Sequence, residues 1–154
     1  MCDTFGLTPF NNDLVYHTSC EISVLAGNET VGERIRFYRY IKMLTCEQMG
    51  EAVGISGITI HNYETGTFHP SLELLKKLAL EFGIEPDKLY DDYYRFLDFP
   101  YSEKIKQIRN SLSLGQREFA KLLGTGQSVI GSWERKESVP LRKSWERLCK
   151  KKLL

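Results

Sequence analysis

Shifted along itself by seventy residues, the chain meets itself without a gap, so that Glu33 to Ala79 falls on Glu103 to Cys149. Glu33/Glu103, Ile35/Ile105, Arg39/Arg109, Leu44/Leu114, Gly54/Gly124, Ile60/Ile130, Glu64/Glu134, Pro70/Pro140 and Leu78/Leu148 are identical, and Met49/Phe119, Val53/Leu123 and Tyr63/Trp133 keep their chemical type. Two copies are too few for a solenoid, which leaves a tandem of two similar small domains. The expected division is an N-terminal arm over 1–29, a first domain over 30–92, an aromatic linker over 93–101 and a shortened second domain over 102–154.

Composition agrees. A chain of 154 residues with 42% hydrophobic content can bury two cores of about fifty to sixty residues each, near the lower limit for independent folding. The cysteines Cys2, Cys20, Cys46 and Cys149 show no CxxC spacing, which argues against a disulfide framework or zinc knuckle and for reduced thiols. No apolar run reaches the roughly eighteen residues of a membrane span, and the N-terminus lacks the order of a signal peptide. A cytoplasmic protein is expected. The formal net charge of +1 conceals a gradient: residues 1–30 sum to −4, residues 31–92 to −3 and residues 93–154, with fourteen bases and six acids, to +8. The second half is therefore the one suited to a polyanion.

Within each copy the apolar spacing is helical. Thr30 with Glu33 is a capping-box signal for a helix to about Met43. Thr45 with Gln48 opens a second, with Met49, Ala52 and Val53 as its inward stripe and Gly54 at its end. Ser56 caps a third carrying Ile60 and Tyr63. Gly66 stops it, and Pro70 precedes a fourth over about 71–82, in which Leu72, Leu75, Leu78 and Ala79 face inward. Pro86 can start a fifth. The second copy repeats this order from Ser102, with Gly115 where Thr45 stood, and has no counterpart of the fifth helix. An all-α fold of two domains with four to five helices each follows.

Two helices of this length joined by a turn of three to four residues describe a helix-turn-helix nucleic-acid reader. The run Leu44-Thr45-Cys46-Glu47-Gln48-Met49-Gly50-Glu51-Ala52-Val53-Gly54-Ile55-Ser56, followed by Thr59 to Gly66 and Pro70-Ser71-Leu72, resembles the Cro and lambda-repressor type, or XRE family, of helix-turn-helix domains. Leu114 to Gly124 with Ser132-Trp133-Glu134-Arg135 resembles it again. The resemblance implies two lambda-repressor-like domains whose third helices lie in the DNA major groove. The base-edge positions it implies are Gly57, Ile58 and Asn62 in the first copy and Gln127, Ser128 and Ser132 in the second, with Thr59 and His61 also available to a base or the backbone. An amide such as Gln127 can pair with an adenine edge, whereas Gly57 offers nothing and Ile58 only apolar contact with a thymine methyl. A glutamine that grips phosphate at the start of the second helix is kept as Gln116 but replaced by Cys46 in the first copy. Arg39 with Glu64, and Arg109 with Glu134, stand where the family ties its first helix to its third by an ion pair. Arg34, Arg36 and Lys42 in the first copy, and Lys104, Lys106 and Lys121 in the second, are the remaining candidates for phosphate contacts.

Other chemistry is thinly represented. His17 and Cys20 form an HxxC pair, and His61 and His69 flank a glycine, without the further ligands that a metal needs. No phosphate loop, nucleophile elbow or paired-carboxylate pattern occurs. Neither an enzyme nor a cofactor is expected. Phe5, Phe10, Tyr16 and Leu25 leave residues 1–29 either an arm or a strap on the first domain. The linker is rich in aromatics, and the spacing of Leu89, Tyr93 and Leu97 predicts that the fifth helix runs on to about Leu97 and braces one domain against the other. The sequence thus predicts a transcriptional regulator that binds double-stranded DNA, with a homodimer or protein partner engaged through the first domain. The competing reading is a protein-interaction module, an antitoxin or phage-encoded antagonist, whose docking surface is the acidic first 92 residues.

Overall fold

The computed structural model describes residues 29–154. The stretch 1–28, with Phe5, Phe10, Tyr16, Leu25, His17 and Cys20, lies outside the described residues. Among the described residues the chain is all helical and divides into two compact units between Leu89 and Tyr90.

The first unit holds α1 (Val31–Ile41), α2 (Cys46–Val53), α3 (Gly57–Glu64) and α4 (Leu72–Phe82), closed by a 3-10 turn at Pro86–Lys88. Each helix starts where a hydroxyl side chain can satisfy its first free N–H groups. Thr30 and Thr45 form reciprocal capping boxes with Glu33 and Gln48, and the Ser56 and Ser71 hydroxyls accept from the Thr59 and Leu74 amides. Gly54 ends α2 at φ 79°, a left-handed conformation open to glycine at little cost. Ile35, Met49, Ile60, Leu75, Leu78 and Ala79 are fully enclosed and form the core. Ala52, expected in the inward stripe of α2, is exposed. Its place is taken by Gly50, where a Cβ would stand 2.6 Å from the Ile55 carbonyl oxygen and 2.9 Å from the Gly57 nitrogen.

The second unit contains α5 (Asp92–Asp98), α6 (Tyr101–Ser111), α7 (Gln116–Leu123), α8 (Gln127–Glu134) and α9 (Arg142–Lys150). Helices α6 to α9 repeat α1 to α4 around Ile105, Phe119, Leu123, Ile130 and Leu148. Gly115 has no side chain to cap α7, and only the return half of the box survives, the Glu118 carboxylate accepting the Gly115 amide at 2.8 Å.

The long fifth helix expected from Pro86 to Leu97 is absent. The chain makes the 3-10 turn, breaks, and starts α5 anew at Asp91, whose carboxylate accepts the Tyr94 amide at 3.1 Å. Residues 90–98 belong to the second unit and do not form a separate linker. The Tyr93 hydroxyl donates to the Pro140 carbonyl at 2.9 Å, its ring meets Trp145 edge-on, and the Arg142 guanidinium lies over it while bonding Asp91 at 2.6 Å. Tyr93, Tyr94, Phe96 and Leu97 are all buried by this packing. The second copy thus obtains from its N-terminal side the closing element that the first obtains from its C-terminal side. The repeat pattern gave no sign of this, because α5 lies outside the aligned region.

Candidate functional site

In both units one buried ion pair fixes the third helix against the first. Arg39 donates from Nε and Nη2 to the two oxygens of Glu64 at 2.6 and 2.8 Å, and from Nη1 to the Leu44 carbonyl at 2.8 Å. Arg109 holds Glu134 at 2.7 and 3.4 Å and the Leu114 carbonyl at 3.1 Å. The guanidinium fork therefore spans the end of the first helix, the start of the next turn and the last residue of the third helix. Its bond to Glu64 holds the Arg39 guanidinium above its ordinary value, so the charge is permanent.

The residue at the start of the second helix completes this pair differently in the two copies. Gln116 donates its amide to Glu134 at 2.8 Å, so its side chain faces the ion pair as well as the surface. Cys46 stands in that position with its sulfur 4.0 Å from Glu64, at the outer limit of a thiol contact. Burial first, and the Glu64 charge second, push the Cys46 thiol up, which keeps it neutral. At Glu134 burial alone would raise the carboxyl, but the Arg109 and Gln116 bonds and the nearby positive charge outweigh it and leave the group below its ordinary value.

The third helices of the two units present different chemistry. On α8, Gln127 and Ser128 are exposed, while Ser132 is half-buried, donating to the Val129 carbonyl at 2.9 Å and lying 2.7 Å from the Ser138 hydroxyl. Gly126, just before α8, has no side chain with which to cap it. On α3 the first position is closed: a Cβ at Gly57 would stand 2.8 Å from the Glu47 nitrogen and 2.9 Å from its Cα. Thr59 is half-buried with its hydroxyl 2.8 Å from that of Ser56, and Asn62 is half-buried. Ile58 is left 73% exposed.

Among the cations, Lys104, Lys106, Lys121 and Arg36 are exposed, the last with its Nε donating to the Tyr40 hydroxyl at 3.1 Å. Arg34 departs from the expectation for a phosphate-facing side chain, being buried at 9% exposure in an α1 that is enclosed around most of its circumference. Spacing could not separate Arg34 from Arg36, since two helical residues 200° apart look equally surface-directed until packing sets the phase. The loop after α8 carries residues that motif reading passed over. Lys136 is paired with Glu103 at 3.0 Å, and the Ser138 carbonyl accepts from the Tyr101 hydroxyl at 3.2 Å. The Ser102 and Lys136 bonds hold the Glu103 carboxyl down at about 2. The only signal for this loop in the sequence was the replacement of Gly66 and Phe68 by Lys136 and Ser138.

His61 and His69 are exposed, Cys46 and Cys149 are free thiols, and no group of three or more His, Cys, Asp or Glu side chains suited to a metal occurs among the described residues. Among the same residues no helix is long and apolar enough to cross a membrane.

Comparison with known proteins agrees with this geometry in both units. Residues 32–95 match the family described as "Helix-turn-helix domain", and residues 105–151 match "Helix-turn-helix". An HTH-type transcriptional regulator of Methanocaldococcus jannaschii is 33% identical over 57 residues, which is 37% of this chain and 86% of that protein. The cryptic phage CTXphi transcriptional repressor RstR of Vibrio cholerae is 31% identical over 77 residues, 50% of this chain and 69% of that protein. No solved structure matches the chain significantly.

Proposed function

The chain belongs to the XRE-type helix-turn-helix family of DNA-binding transcriptional regulators, and from that premise we propose that its second unit is the principal sequence reader and the first an unequal partner in the same complex. The observation that carries this reading is the contrast at one aligned position. Gln127 is exposed at the start of α8, whereas the aligned Gly57 is packed against the backbone of α2. A glutamine amide presents a donor and an acceptor together and pairs with the N6 and N7 groups of adenine, whereas glycine has neither. Gln127 and Ser128 address base edges, with Ser132 holding the following loop. Lys104, Lys106, Lys121 and the second amide proton of Gln116 address phosphates. In the first unit Ile58, Thr59 and Asn62 lie toward the bases and Arg36 toward the backbone. The protein acts where the chromosome is, in the cytoplasm of a prokaryotic cell.

Selection of preferred duplexes by the intact chain and three variants tests this assignment. Gln127→Ala should relax preference at one base pair, at a cost of about 1 to 3 kcal/mol, while Lys104→Ala weakens all duplexes alike. Loss of all preference on Asn62→Ala, with none on Gln127→Ala, would make the first unit the reader. A protein that retains no duplex at physiological salt would instead favour a protein-docking role for the acidic first unit, alone or as a homodimer.

A further inference from the structure

At the two ends of the third helix of the first unit, the hydroxyl side chains are bonded inside the protein. Gly57 is closed by the α2 backbone, and the Ser56 and Thr59 hydroxyls face each other at 2.8 Å. The Thr65 hydroxyl donates to the carbonyl of His61 at 3.0 Å and pairs with Thr67. Ile58 is the large apolar side chain that this leaves at the surface, 73% exposed in the first turn of α3 where the second unit has Ser128, with the exposed His61 one turn further on. Asn62, four residues on, shares its side of the helix. Along the helix its neighbours are Gly57, which has no side chain, and the exposed polar His61, so the aliphatic group is bordered there by nothing apolar. In the major groove, however, one base-pair feature matches an isolated branched aliphatic group: the methyl at C5 of a pyrimidine.

We propose that Ile58 makes the first unit a reader of the pyrimidine C5-methyl group, so that this half of the protein distinguishes thymine from uracil and 5-methylcytosine from cytosine at one position of its site. This rests on the DNA-reading assignment above and specifies what the first unit recognises. The second unit, with Ser128 in the aligned position, has no such contact. One consequence is that cytosine methylation within the half-site strengthens binding by the first unit, a response that hydrogen-bond readout alone does not give, because methylation leaves the hydrogen-bonding groups of the base pair unchanged.

The test uses the intact chain and a duplex that it selects. Each thymidine is replaced singly by deoxyuridine, which removes the methyl group and nothing else. Affinity is expected to fall about three- to fivefold at one position, the scale of burying one methyl group. Ile58→Ala, at a surface position, should keep the helical circular dichroism and flatten the scan. Cytosine and 5-methylcytosine placed at the sensitive position should differ by the same factor in the intact chain and not in the variant. A flat scan in a protein that still prefers its duplex overturns the inference and leaves the DNA-reading assignment standing, as does a methyl effect that survives Ile58→Ala. Absence of any duplex preference overturns the assignment itself.

Discussion

At the scale of single residues, the Arg-Glu pairs carry the greatest energetic weight. Both Glu64 and Glu134 have side chains only 4% exposed, so truncating either strands a guanidinium in the interior. Glu64→Ala and Glu134→Ala should each cost about 3 to 5 kcal/mol, read as a lowered denaturant midpoint; unchanged midpoints would show that the pairs carry no weight. The cost at Glu64 should be the larger of the two, since the Arg39 side chain is 7% exposed and that of Arg109 18%. Acid should act on the second pair in the same direction. The Glu134 carboxyl is depressed in the folded state, so its contribution is present above the ordinary carboxylate range near 4.5 and is lost as pH falls through its lower folded value. Gln116→Leu removes one of the bonds that depress it and should move this acid loss to higher pH, measured by thermal unfolding across an acid series. These pairs were legible in the sequence because the seventy-residue offset preserved both members twice. The bond from Gln116 to Glu134 was not, because a glutamine at a helix start reads equally well as a surface group.

At the scale of helices, the packing of α2 against α3 turns on two glycines. Gly50 and Gly57 let the backbones approach closer than any Cβ allows, and the second unit replaces them with Ala120 and Gln127. The α7–α8 pair therefore has room where the α2–α3 pair has none. Grafting one reading position onto the other should fail in one direction only. Gly57→Gln should destabilise the first unit by at least about 1 to 3 kcal/mol through forced separation of the helices, whereas Gln127→Gly should leave the second unit folded and costs it base contact alone. Thermal unfolding paired with duplex binding separates these outcomes, and equal stability of the two variants would refute the steric account. Helix starts and stops were largely readable, since Thr30, Thr45, Ser56, Ser71 and Gly54 act through local bonds that sequence spacing encodes. The inward stripe of α2 was misread at Ala52 because the glycines, which carry no apolar signal, set the contact.

For the molecule as a whole, charge and aromatic closure set the response to solution conditions. With about six phosphates neutralised, log K should fall with log salt at a slope near −5, and a slope near zero would exclude the cationic second half as the anchor. Base should act on the second unit through its buried tyrosines. Burial pushes the Tyr94 hydroxyl up to about 12, partly opposed by the Arg142 charge, and raises Tyr93 as well. Both are protonated when folded, so their contribution is complete below the ordinary tyrosine value of 10.0 and disappears as pH rises toward 12. Tyrosine absorbance and helical content should therefore change together in that window, and ionisation without loss of helix would contradict the placement. The tandem arrangement was fully visible from the repeat, whereas the attachment of α5 to the second unit depended on contacts 47 and 51 residues apart, Tyr93 to Pro140 and Asp91 to Arg142.

That same attachment orders events on the ribosome. The Arg39–Glu64 pair spans 25 residues, and the first unit has all its parts once residue 89 has emerged. The second unit is synthesised with its closing helix first, and Tyr93 and Asp91 stay without their partners until Pro140 and Arg142 follow. Longer loops close more slowly, and domains fold as units in the order they emerge. During translation the acidic first unit is thus complete while the cationic second unit still lacks Pro140 and Arg142, so the two units close one after the other although each is built on the same repeat.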